Sequence, residues 1–90
     1  MPSMTRKLLG VDTQPYEAFG RVVRAARQER ELSQEELGAR SDLDRTYISG
    51  VERGKRNPTI QSIWLIAGGL GMKPSELMAE VEQLLGSGGL

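Results

Sequence analysis

From Tyr16 to Leu85 apolar residues recur three and four positions apart, and no run alternates with a period of two. A helix gathers such positions on one face, so the pattern predicts helices throughout and an all-α fold. The first helix starts at Pro15, whose fixed φ suits a first helical position, and runs to about Arg30 with Phe19, Val22, Val23 and Ala26 as its apolar stripe. Ser33 and Glu36 form an S-x-x-E capping box that opens a short second helix, through Leu37 and Ala39 to about Ser41. Asp44 suits the N-cap of a third helix carrying Ile48 and Val51 and ending at Gly54. Arg53 to Pro58 reads as a loop from its Gly, Asn and Pro. A fourth helix follows Thr59, with Ile60, Ile63, Ile66, Ala67 and Leu70 spaced along it and Gly71 as its stop; a fifth runs from Pro74 with Leu77, Met78, Val81, Leu84 and Leu85. The chain divides into an N-terminal arm, 1–14, a five-helix domain, 15–85, and a tail, 86–90.

Helices four and five hold more apolar side chains than one small core needs. Trp64 and Leu65 follow Ile63 directly, so the three cannot all point inwards, and Met78, Val81 and Leu85 add to the surplus. Two placements are open at this level. The last helix can tuck over these residues within one molecule, or two molecules can pack symmetrically through both helices, Gly68 and Gly69 allowing the backbones to approach. The second is the expectation, a homodimer with Trp64, Leu65, Met78, Val81 and Leu85 at its interface, because a chain of 90 residues builds only a small core.

Composition narrows the chemistry. No Cys and no His occur, which removes disulfides, the usual zinc sites, thiolate nucleophiles and imidazole acid–base devices. The acids fall in caps, first turns and exposed faces, so no catalytic constellation, metal or cofactor is expected, and no small-molecule ligand is evident. Only four aromatics are present, too few for a surface that stacks on single-stranded bases. The longest stretch without a polar side chain is Ile63 to Met72, short of the roughly 20 residues a membrane span needs. With no Cys and only a Leu-Leu pair near the start, the expected compartment is the cytoplasm, on the nucleoid. Twelve basic and twelve acidic residues cancel, yet residues 45–57 carry +3 and residues 74–90 carry −3. Positive charge is therefore concentrated on the third helix and its loop.

That segment lies within SQEELGARSDLDRTYISGVERGKRNP, Ser33 to Pro58: a capped short helix, a tight link, and a second short helix ending in a basic loop. This is the layout of a helix-turn-helix, in which the first helix presents its N-terminal amides to phosphate and the second places early side chains in the major groove. Leu37, Ala39, Leu43, Ile48 and Val51 can form the inner face, leaving Arg45, Thr46, Tyr47, Ser49 and Gly50 outside. The capping box, the helix-link-helix length, Ile48 and Val51, the E-x-G-K loop and the NPT that follows resemble the Xre family, the type of Cro and the phage lambda repressor, over about Phe19 to Leu77. The wording DRTYISGVERGKRNP is also similar to controller proteins of restriction-modification systems.

The resemblance implies a lambda-repressor-like DNA-binding domain. It implies a transcriptional regulator, repressor or controller, that binds a palindromic operator in double-stranded DNA as a dimer near its own promoter. Arg45, Thr46 and Ser49 fall on base-reading positions, and an Arg there can hold guanine O6 and N7 together. Ser33, Gln34, Arg53, Lys55, Arg56 and Asn57 fall on positions that grip the sugar-phosphate backbone, Gln34 also buttressing the recognition helix. Tyr47 can donate to a phosphate or pack over the link. Arg27 and Glu52 match a salt bridge between helix one and the end of helix three. Gly50 stands where relatives carry a longer polar side chain, and a bare position there lets the backbone approach DNA. Asp44 is an anion at the DNA-facing end, tolerable if a cap bond holds it. Arg21, Arg24, Arg30 and Arg40 read as solvating charges. The alternative from another class is an antitoxin-like interaction module, whose last two helices would bind a partner protein.

Overall fold

The computed structural model describes residues 13–86, so the expected arm up to residue 12 and the tail beyond residue 86 lie outside the described residues. Five helices follow one another: α1 Pro15–Glu29, α2 Gln34–Ser41, α3 Arg45–Glu52, α4 Ile60–Leu70 and α5 Pro74–Leu84. Each helix start has a chemical cause. Glu17 accepts from the Gln14 N–H at 2.7 Å and Glu76 from the Lys73 N–H at 2.9 Å, each carboxylate reaching back over its own first turn. At α2 the expected box is complete: Ser33 Oγ accepts from the Glu36 N–H at 2.9 Å, and Glu36 accepts from the Ser33 N–H at 2.7 Å. Asp44 caps α3 by accepting from the Thr46 N–H, and Thr59 caps α4 by accepting from the Ser62 N–H. At the end of α3, Gly54 takes φ +71°, and the Lys55 N–H reaches Gly50 O while the Gly54 N–H reaches Val51 O. That left-handed closure turns the chain sharply into the basic loop.

The core is drawn from all five helices, with Phe19, Val23, Leu37, Ile48, Val51, Ile66, Leu77 and Val81 buried. α1 crosses α3 at Gly20, where any Cβ would collide with the Val51 carbonyl, so only glycine permits that approach. α4 lies against α2, with Gly69 seated on Ser41 and Leu37. Gly69 therefore serves a crossing inside one molecule, and its expected place between two molecules is corrected; Gly68 faces open space.

Other expectations are revised by the way the helices turn. Ala39 is exposed, and the buried face of α2 is made by Leu37, Gly38 and Ser41. Val81 was expected at a dimer interface but is only 3 % exposed, and Leu85 packs against the same core. The reason is spacing: Leu77 and Val81 of α5 and Leu85 at its C-cap form one stripe, and that stripe closes over the domain's own core. Ile60 moves the other way, out of the expected core stripe to 70 % exposure, because positions 60, 64 and 68 share the outer face of α4. Arg30 is more than a solvating charge. Its Nε donates to Leu70 O at 2.7 Å and its Nη1 to Ala26 O at 2.9 Å, tying the end of α1 to the end of α4.

Candidate nucleic-acid interface

α2 and α3 meet at a link in which Asp42 takes φ 57° and the Leu43 N–H returns to Gly38 O at 2.9 Å. Half-buried Leu43 fills the inside of the turn, so the two helices are held at one angle by backbone and by packing. A polar network then fixes the C-terminal end of α3. Arg27 Nε donates to Glu52 Oε2 at 2.7 Å and Nη2 to Oε1 at 3.0 Å; Gln34 Nε2 donates to the same Oε1 at 3.0 Å. Arg27 Nη1 also donates to Leu32 O at 2.7 Å. The hydrogen-bonded Glu52 carboxylate raises the Arg27 pKa above its ordinary value, so the guanidinium stays charged. One buried carboxylate thus joins α1, the start of α2 and the end of α3. The expected bridge is present, and Gln34 is its third member.

At the other end of α3, Arg45 and Thr46 are exposed in the first turn and Ser49 is half-exposed one turn on. All three expected base-reading positions share one outward face. Asp44 lies at its edge. The Thr46 hydroxyl and the Thr46 amide both donate to its carboxylate, and they hold its pKa below the usual carboxylate range. Its negative charge is answered inside the cap. Glu36 is held down in the same way by the Ser33 amide and hydroxyl, with Ser33 exposed beside it.

Arg53, Lys55, Arg56 and Asn57 are all exposed along the loop after α3, and Arg53 Nε reaches back to Ser49 O at 3.4 Å. The structure therefore leaves the expected backbone-gripping side chains of this loop exposed, with Arg53 folded back onto α3 at Ser49. Tyr47 is half-buried, and its hydroxyl donates to Ser62 Oγ at 3.0 Å, which turns the ring towards the first turn of α4. Arg56 lies over the ring, Cζ 5.5 Å from the centroid. Gly50, expected to be bare, is buried beneath the Arg56 side chain. No signal in the sequence pairs residues 50 and 56, because the contact depends on how the loop folds back.

Away from this face, Ile60, Trp64 and Met78 are 70 %, 59 % and 39 % exposed. A shallow apolar notch between α4 and α5 is lined by Trp64, Lys73, Pro74, Ser75 and Met78. Leu65 is half-buried at the margin of the same helix. Of the five residues expected at a dimer interface, Trp64 and Met78 are free to serve one; Ile60 joins them unexpectedly. Among the described residues, no helix is long and apolar enough to cross a membrane.

Residues 23–77 match the helix-turn-helix family HTH_3. The control protein C.MunI of a Mycoplasma species is 44% identical over 66 residues, which cover 72% of this chain and 89% of that protein. The restriction-modification controller protein C.AhdI from Aeromonas hydrophila superposes with a TM-score of 0.67 at 44% identity, covering 69% of this chain and 94% of that one. A second controller structure, the C.Esp1396I tetramer in complex with its natural 35 base-pair operator, superposes with a TM-score of 0.76 at 36% identity, covering 81% and 96%.

Proposed function

The chain belongs to the helix-turn-helix family HTH_3, and from that premise we propose that it is a sequence-specific transcriptional regulator, a controller or repressor acting at its own promoter. The observation that carries this reading is the placement of Arg45 and Thr46. They stand exposed on the first turn of a helix whose other end is locked by Arg27, Glu52 and Gln34, so their approach to base edges is set before DNA arrives. Arg45, Thr46 and Ser49 read bases; Ser33, Gln34, Tyr47, Arg53, Lys55, Arg56 and Asn57 hold the backbone and set the register. Lys55 acts as a point charge and Arg53 as a donor fork, neither reading sequence.

The working unit is a homodimer. Its interface is the apolar face of Ile60, Trp64 and Met78, with Leu65 at the margin, which supports this assembly by presenting three large hydrophobic side chains to solvent on adjacent helices. Two-fold symmetry places the two α3 helices about one DNA turn apart, about 34–36 Å, and so calls for a palindromic site. The protein works in the cytoplasm, on the nucleoid, as a binding protein and not an enzyme.

Selection of bound sequences from a random pool of double-stranded DNA tests the proposal. An inverted repeat with half-sites about 10 base pairs apart is the expected product. A pool that stays random after repeated selection would overturn it.

A further inference from the structure

Gly50 lies in the interior of α3 and is buried although it has no side chain to bury. Arg56 covers it: a Cβ built at position 50 would stand 2.8 Å from Arg56 Cγ, 3.6 Å from Nε and 3.8 Å from Cδ. The aliphatic stem of Arg56 therefore lies across the place where a side chain would be, and its guanidinium comes to rest over the Tyr47 ring. The ring is itself pinned. Tyr47 donates to Ser62 Oγ at 3.0 Å, and Thr59 Oγ1 donates to the same atom at 3.0 Å. The loop is pinned too, since the Lys55 N–H closes onto Gly50 O at 2.8 Å.

Nothing in the backbone asks for glycine here, because Gly50 is helical and is not among the positive-φ residues. In mid-helix, glycine is disfavoured relative to alanine by its conformational entropy. The contact that glycine alone permits is the one with Arg56. We propose that Gly50 is a positioning residue. Its missing side chain makes a seat that, with the Tyr47 ring as platform, holds the Arg56 guanidinium ready for a phosphate of the DNA backbone alongside α3. An arginine ordered in advance loses less rotamer freedom on binding, and stacking leaves its N–H edge available to donate. This inference rests on the DNA-binding reading above and explains why a recognition helix would forgo a base-reading side chain at this position.

The test compares the full chain with Gly50→Ala, Arg56→Ala and the double variant, first without DNA. In the parent protein the Arg56 side-chain N–H resonance is expected to be shifted upfield by the Tyr47 ring current. Gly50→Ala should abolish that shift while melting no lower than the parent. A retained shift would overturn the proposal, whatever the protein binds. Operator affinity is then measured over a range of salt. Gly50→Ala should bind about tenfold more weakly, the scale of one charge-assisted hydrogen bond, with a salt slope shallower by about one. Arg56→Ala should match it, and the double variant should bind no more weakly than Arg56→Ala. Additive losses, or parental affinity in Gly50→Ala, would overturn the proposal; failure of the parent to prefer any DNA would overturn the functional reading instead.

Discussion

Arg27 on α1 and Glu52 at the end of α3 are 25 residues apart in the chain and meet through two hydrogen bonds, with side chains only 12 % and 2 % exposed. Removing one member leaves the other charged and largely out of water. Arg27→Ala should therefore cost about 3 kcal/mol or more, seen as a fall in melting temperature on the order of 10 °C or more in a domain of this size. Arg27→Lys should recover little, because one ammonium cannot serve both carboxylate oxygens and Leu32 O. Thermal melting by circular dichroism checks both. A variant that melts like the parent would remove the bridge from the account of how α3 is held.

The two carboxylate caps make an acid-sensitive pair of helix starts. Glu36 and Asp44 both have pKa values lowered by donors of their own first turns, Ser33 for Glu36 and Thr46 for Asp44. A carboxylate with a depressed folded-state pKa stabilises the fold above its unfolded value and loses that contribution as pH falls through the folded value. Stability is expected to drop as pH falls below about 4, and to drop less steeply in Asp44→Asn with Glu36→Gln. Melting temperature followed from pH 7 to pH 2 measures this. Parallel curves for parent and variant would assign the acid loss to other groups.

Arg45 and Lys55 should fail in different ways. Arg45→Ala is expected to weaken operator binding by about 1–3 kcal/mol and to relax base preference at one position in each half-site. Lys55→Ala should weaken binding to every sequence alike and make the salt slope shallower by about one. Affinities for the operator and its single-base variants, taken across a range of salt, separate the two. Uniform loss in Arg45→Ala would take that residue out of base reading.

Trp64→Glu places a charge in the middle of the exposed apolar face formed with Ile60 and Met78. Sedimentation should show a monomer at concentrations where the parent is a dimer, with operator affinity falling as dimer is lost and the melting temperature of the monomer little changed. A parent protein that sediments as a monomer, and dimerises only with a second protein, would favour the antitoxin-like module over a homodimeric regulator.

Helix starts and stops were legible in the residues because their causes are local. Ser33 with Glu36, Asp44, Thr59 and Gly54 each satisfy or close a backbone turn within three or four positions, and all act as expected. The helix pair, its basic loop and the Arg27–Glu52 bridge could also be placed, the bridge through resemblance to the Xre family. Which side of a nearly all-apolar helix faces inwards could not. Periodicity in IQSIWLIAGGL is too weak to choose a face, and only the crossing of α4 on α2 turns Gly69 and Ile66 in and Ile60 and Trp64 out. Likewise Val81 went to the core because α5 folds over α1, a contact between segments far apart in the chain. The seat of Arg56 on Gly50 and Tyr47 has the same origin. By itself the sequence determined where helices begin, end and carry charge, since those depend on neighbours a turn away; the tertiary structure decided which side chains are free to meet DNA or a second copy, since burial depends on what another helix covers.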